Sequence, residues 1–274
     1  MKLRRFKTAA LAAAFTAVAV TAIYVVPALA QFTHAKPEDF NDHTGFTSLF
    51  DGKTLNGWDG DKALWSVKDG SIYINPTCEH PTGTVYIVWQ GGEAADFDLR
   101  LEMKGTGNIN SGVQYRSWIT TGPEPTPRLA GGPCSTGQKP APQPTRASQA
   151  KWEMAGYQFD FDNGNHYPGQ LYEQSTGRGI ISWKGDVVDI GPDHKTLLAT
   201  LGDKATVDSW FKKDDWNTEE IIAQGNVLTH ILNGHLISET IDHDKTIGKA
   251  SGKIGIEVES TGEIFVKDIW LKKY

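Results

Sequence analysis

Gly156-Tyr157-Gln158-Phe159-Asp160-Phe161-Asp162, within the segment Trp152 to Gly179 (WEMAGYQFDFDNGNHYPGQLYEQSTGRG), alternates aromatic and polar side chains without a break. Successive side chains of a strand point to opposite faces. As a strand, this stretch turns Tyr157, Phe159 and Phe161 one way and Gln158, Asp160 and Asp162 the other. A strand with a core face and a wet face satisfies that pattern by itself. The sequel asks for more. After the turn Asn163-Gly164-Asn165 comes a second short strand, Gly169 to Glu173, ending in Tyr172 and Glu173, and Arg178 follows between two glycines. The hairpin is therefore expected to bring an acid cluster, an aromatic ring and an arginine together.

Outward from this hairpin the chain reads as short strands: Phe46 to Phe50, Leu64 to Val67, Ser71 to Ile74, Val85 to Trp89, Phe97 to Met103, Val113 to Arg116, Ile221 to Gln224, Val227 to Leu232, His235 to Ile241, Ile254 to Glu259 and Phe265 to Leu271. Phe97 to Met103 alternates strictly, and Asn233-Gly234 between two strand patterns is the strongest hairpin signal. Only Ala205 to Phe211 suggests a short helix. Many short strands, glycine at the turns and nine tryptophans predict an all-β fold, a two-sheet antiparallel β-sandwich of the jelly-roll kind.

Met1 to Ala30 has the layout of a secretory signal peptide: a basic head (Lys2, Arg4, Arg5, Lys7), an apolar run from Thr8 to Val26, and Ala28-Leu29-Ala30 before Gln31. An uncleaved membrane anchor is the alternative, since the run is nearly long enough to span a bilayer. Cleavage would make the mature protein secreted or periplasmic, with no membrane attachment. Losing four basic residues and no acid takes the formal charge from -6 to -10, which argues against nucleic acid as a partner. Residues 31–44 read as an N-terminal extension and 45–274 as a single domain. That domain carries a loop insertion at 122–150 with seven of the thirteen prolines, either a rim beside the hairpin or a disordered insertion. Cys78 and Cys134 are the two cysteines; in an exported chain one disulfide and two separate thiols both fit. The histidines show no metal-ligand spacing, and no glycine pattern suits a nucleotide.

Six ordered motifs resemble the 3-keto-disaccharide hydrolase domain family: Leu49-Phe50-Asp51-Gly52-Lys53-Thr54-Leu55-Asn56-Gly57-Trp58, Trp65-Ser66-Val67-Lys68-Asp69-Gly70, Asn110-Ser111-Gly112-Val113-Gln114-Tyr115-Arg116-Ser117, Gly156-Tyr157-Gln158 with Leu171-Tyr172-Glu173, Asp215-Trp216-Asn217, and Leu232-Asn233-Gly234. The resemblance implies a concanavalin-like, laminin-G-like sandwich acting on glycosides oxidised at the third sugar carbon. The chain departs from the family where many members have Glu-x-Gln and it has Gln158-Phe159-Asp160, and where they have Gln-x-His and it has Glu257-Val258-Glu259.

A ketone at carbon 3 acidifies the proton on carbon 2, so a carboxylate can remove it and the enediolate can expel the group on carbon 1. Water then adds back. This route needs a base, an acid for the leaving group and something to hold the enediolate oxygen. Asp160 and Glu173 are the candidate base and acid. Arg116 and Arg178 are candidates for the oxyanion, or are partners of the many acids; a divalent cation is a further candidate for that role. Gln114, Gln158, Tyr172, Trp152 and Asp162 are candidate substrate contacts, and Trp118 and Trp183 candidate stacking surfaces. A non-catalytic carbohydrate-binding module is the second reading, because fold does not fix function. Export is checked by intact mass: the exported protein is expected to begin at Gln31, and retention of Met1 to Ala30 would contradict it.

Overall fold

The computed structural model describes residues 39–120 and 149–274. Residues 1–38, Cys134 and nearly all of the proline-rich loop lie outside the described residues. No helix among the described residues is long and apolar enough to cross a membrane. Cys78 is disulfide-bonded, and Cys134 is the one other cysteine in the sequence.

The unit Phe40–Tyr274 contains β1 (Thr47–Ser48), β2 (Trp58–Gly60), β3 (Ser66–Lys68), β4 (Ser71–Ile74), β5 (Val85–Trp89), β6 (Phe97–Gly105), β7 (Asn108–Ile119), β8 (Met154–Asp162), β9 (Leu171–Gln174), β10 (Gly179–Ser182), β11 (Asp186–Ile190), β12 (Lys195–Thr200), a helix α1 (Lys204–Asp208), β13 (Asn217–Gln224), β14 (Val227–Leu232), β15 (His235–Asp242), β16 (Lys253–Thr261) and β17 (Ile264–Lys273). Two sheets result. The larger runs β12-β11-β15-β14-β13-β6-β17-β4-β3, with β1 added on β17, and the smaller runs β10-β9-β8-β7-β16-β5-β2. Every pairing is antiparallel except β11 with β15. The expected all-β sandwich is the observed architecture.

Alternation explains the core. Tyr157, Phe159 and Phe161 of β8, Val113 and Tyr115 of β7, and Ile254, Ile256 and Val258 of β16 are buried with Leu99, Leu101, Met103, Ile221 and Val266 of the larger sheet. Rings meet across the two sheets: Phe97 lies 6.0 Å from Tyr115, and Phe159 lies 4.6 Å from His230. Burial holds the His230 imidazole low, at about 4, so it is neutral near pH 7. Its Nε2 lies 2.9 Å from the Tyr115 hydroxyl and its Nδ1 3.1 Å from the Gly169 carbonyl. With Nδ1 protonated, the ring donates to Gly169 and accepts from Tyr115, so both contacts are met by one neutral tautomer.

The Asn233-Gly234 turn joins β14 to β15 with φ of 51° and 79°, the left-handed pair that a two-residue hairpin turn requires. Asn217 is buried behind it. Its Oδ1 accepts from Lys212 N and Asn233 Nδ2, and its Nδ2 donates to the carbonyls of Lys212 and Asp215. Trp216 lies half-buried outside the core, with Lys104 and Lys267 ammonium groups 5.1 and 4.5 Å from its ring. Alternation sends Asn217 inward and so turns its neighbour out. Asn217→Ala leaves several buried groups without partners and is expected to lower the unfolding free energy by about 2 to 4 kcal/mol. Trp216→Ala should cost about 1 kcal/mol or less. Denaturant unfolding of both variants checks the order, and a larger loss at Trp216 would contradict it.

Candidate active site

The outward faces of β5, β16, β7, β8 and β9 carry a grid fixed by strand register. One row runs Val88, Gly255, Gln114, Gln158, Tyr172, and the next runs Tyr86, Glu257, Gly112, Asp160. In the following row Glu259 pairs with Asn110 and Asn110 with Asp162. Over the centre lies a cleft of about 320 Å³, lined by Asn110, Gln158, Asp160, Tyr167, Gln170, Tyr172, Gln174, Ile180, Trp183, Glu257 and Glu259. No arginine or lysine is among these residues. Gly112 is required here: a Cβ at this position would come within 2.3 Å of Gln158 Nε2, so its absence lets the Gln158 amide lie across the strand. That amide reaches 3.3 Å to Asp160 Oδ1 and 3.5 Å to Glu257 Oε2.

Asp160 is 6% exposed. Its carboxyl accepts from Gln170 Nε2 at 2.7 Å and from its neighbour's amide, Phe161 N, at 3.0 Å. Burial, reinforced by repulsion from Glu259 and Asp162 and opposed by those hydrogen bonds, pushes it up to about 8. Burial next to Glu259, Asp160 and Glu153 pushes Glu257 well above the ordinary carboxylate range, and burial raises Glu259, against a bond from Thr84. Like charges sharing a dry site disfavour one another's ionisation, so the three titrate as a coupled group, with Asp160 holding its proton at neutral pH. Burial and the nearby acids Asp160, Glu259 and Glu257 also raise the Tyr172 phenol.

The remaining sequence candidates lie elsewhere. Glu173 pairs in register with Tyr157, whereas Tyr172 pairs with Gln158; Glu173 therefore points away from the cleft and toward the other face of the sheet. There it is gripped by Arg178 through two bonds of 2.6 Å. Arg178 also pairs with Asp242 at 2.9 Å, which in turn accepts the Tyr157 hydroxyl at 2.6 Å. This buried ion cluster supports the hairpin from behind. Arg116, in the β7 bulge with φ of 46°, donates to the carbonyls of Ala95 and Gly225 and to Asp96. Both arginines are thus bound to structural partners and do not face Asp160. Asp162 shares Asp160's side but is spent on the turn, accepting from the amides of His166 and Tyr167 at 2.8 and 2.6 Å. Gln114 is fully buried and donates to Gln158 Oε1, so it sets that amide rather than lining the cleft. Trp152 packs with Tyr86, Val88 and Met154 beside it, not as an open stacking surface.

Of the expected site residues, Asp160, Gln158, Tyr172 and Trp183 meet in the cleft. Glu257, Glu259, Asn110, Gln170 and Tyr167 join them. The two glutamates had a signal in the sequence, the alternating Glu257-Val258-Glu259 of a strand whose apolar residues face the core. Among the described residues no three His, Cys, Asp or Glu side chains form a group able to hold a metal ion.

Residues 45–272 match the family model described as a 3-keto-alpha-glucoside-1,2-lyase-like domain. A 3-keto-disaccharide hydrolase of Bacteroides thetaiotaomicron is 32% identical over 93 residues. That match takes in 27% of this chain and 28% of the relative, so the chain spans little more than a quarter of the curated relative's length. Among solved structures, a Bacillus subtilis protein of unknown function with a galectin-like fold is similar at 12% identity, over 80% of this chain and 90% of that one, with a TM-score of 0.50. A Parabacteroides distasonis structure is similar at 14% identity over 84% of this chain and 94% of that one, with a TM-score of 0.49.

Asp160 makes a thermodynamic prediction. Its folded-state value lies above its unfolded value, so the native chain binds the extra proton between about pH 4 and about 8, and stability falls as pH rises through that window. Asp160→Asn removes this dependence. Its melting temperature should therefore exceed the parent's at pH 8 and approach it near pH 4; an equal or lower value at pH 8 would contradict the assignment.

Proposed function

We propose, from the premise that this chain belongs to the 3-keto-alpha-glucoside-1,2-lyase-like domain family, that it cleaves 3-keto-glycosides, 3-keto-disaccharides among them, in the acid-lined cleft. The observation that carries this reading is the cluster of carboxyls on one outer sheet face, Asp160 and Glu257 buried and Glu259 half-buried beside them, all three raised above the ordinary carboxylate range. Removing charge from water is costly, and a surface needing only solubility gains nothing from it. Acid-base chemistry does. Groups whose proton affinities are displaced toward neutrality can both take and return a proton near pH 7.

With a keto sugar in the cleft, ionised Asp160 removes the proton from carbon 2. The electron pair forms the enediolate and then the double bond to carbon 1, expelling the leaving oxygen, which takes a proton from a neighbouring acid. Water adds across that double bond, so the balance is glycoside plus water to 3-keto sugar plus alcohol. Glu257, the deepest of the three, is the proton donor we assign. A neutral carboxyl kept protonated by an apolar site can also donate a hydrogen bond to a developing oxyanion, a role that the sequence had given to arginines. Gln158, Gln170, Asn110 and Tyr172 supply the polar contacts for sugar hydroxyls. The basic head and Ala-x-Ala site of the first thirty residues support action outside the cytoplasm.

The second reading, a carbohydrate-binding module without turnover, is favoured by the aromatics Tyr167, Tyr172 and Trp183 around the cleft. It leaves the buried carboxyls without a use. Incubation with a 3-keto disaccharide and with its unoxidised parent separates the two: the enzyme should release 3-keto sugar from the first only. Below pH 8, kcat/KM should rise with pH as Asp160 ionises. Asp160→Asn should lose about 100-fold or more in rate while remaining folded. Turnover within about threefold of the parent would remove Asp160 from the base role, and binding without turnover would favour the module.

A further inference from the structure

Trp183 is 48% exposed and lines two cavities at once. One is the acid cleft. The other, also about 320 Å³, is bounded by His166, Trp183, Lys184, Asp186, Lys204 and Asp208 among others. Chain neighbours tie the two together a second time, since Tyr167 lines the acid cleft and His166 the second cavity. Each volume alone is near the roughly 300 Å³ lower bound for a small-ligand site, and the pair suits a ligand of two rings.

We propose that the second cavity is the leaving-group subsite and that it takes a neutral, hydroxyl-rich ring, a second sugar, stacked on the Trp183 indole. This rests on the function proposed above. The chemistry of the wall supports it. Lys184 is already committed, donating to Asn165 O and Oδ1 at 2.6 and 2.8 Å and pairing with Asp208 at 2.8 Å. Lys204 is paired with the same Asp208. With Asp208 and Asp186 the two lysines leave the wall formally neutral, so no net positive charge favours an anion. What remains available is the indole face, the His166 ring nitrogen that does not hold Asp162, and the Asp186 carboxylate, which is raised by partial burial, opposed by the Lys195 charge. An apolar plate flanked by one acceptor and one donor or acceptor matches the C–H faces and hydroxyls of a pyranose. A uronate or phosphorylated ring would meet the Asp186 carboxylate.

The test compares kcat/KM on a 3-keto disaccharide and on the methyl 3-keto-glucoside of the same anomer, for the parent, Trp183→Ala and Asp186→Ala. Both variants should lose about tenfold or more on the disaccharide beyond whatever they lose on the methyl glycoside, chiefly in KM, with Trp183→Phe recovering part of it. Equal losses on the two substrates, or none on the disaccharide, overturn the subsite. If the parent turns over neither substrate, the function proposed above has failed, and calorimetric titration with the unoxidised disaccharide then decides the subsite alone. Binding lost in Trp183→Ala supports it, while unchanged or absent binding overturns it.

Discussion

The two-residue period of three neighbouring strands governs this molecule. In β16, β7 and β8 the same pleat that turns Ile256, Val113 and Phe159 into the sandwich turns Glu257, Gly112 and Asp160 out to one row on the opposite face. A slip of one residue in any of these pairings would drive carboxyls into the core and aromatics into the cleft. The hydrophobic core thus fixes the register, and the register fixes the distances among the acids. Site geometry and fold stability are set by one constraint.

The outer face is nevertheless dry enough to displace proton affinities. Tyr86, Val88, Trp152 and Met154 pack at one end of it, and the turn after β8 closes over Asp160 with Gln170, itself buried. The opposite sheet pins that turn. His230 Nδ1 and the Ser238 hydroxyl both reach the Gly169 carbonyl, at 3.1 and 2.7 Å, and Gly169 has φ of 87°, with no room for a Cβ beside Ile237. Holding Gly169 holds Gln170, whose amide holds Asp160. Glu219 shows the same dryness inside the sandwich, its carboxyl buried without a hydrogen bond and pushed upward by burial and by Asp160.

Much of the fold was legible in the sequence because alternation and turn chemistry are local. Gly156 to Asp162 announced its two faces, and Asn233-Gly234 its hairpin. The strands that escaped are Trp58–Gly60 and Gly179–Ser182 of the smaller sheet and Asp186–Ile190 and Lys195–Thr200 at one end of the larger, and the exposed Lys195–Thr200 carries no burial pattern to read. The site was legible only in part. Asp160 and Gln158 followed from parity within one strand, whereas Glu173 depended on the register between β8 and β9, which the intervening turn sets and no local pattern reveals. Arg116 and Arg178 are adjacent to the site in sequence, but each is held partly by a remote group, Gly225 for Arg116 and Asp242 for Arg178, that no local pattern points to. Glu257 and Glu259 stood out as a departure from the family pattern before their position made them candidates.

The central claim is that Asp160 carries its proton at neutral pH in the cleft. Carbon-13 NMR of the side-chain carboxyls, with Asp160→Asn used to assign the signal, measures this directly. A carboxyl titrating near pH 8, accompanied by a response of Glu257 and Glu259 to the same step, is the predicted result. An Asp160 signal titrating near pH 4, the ordinary value for an aspartate in water, would contradict it.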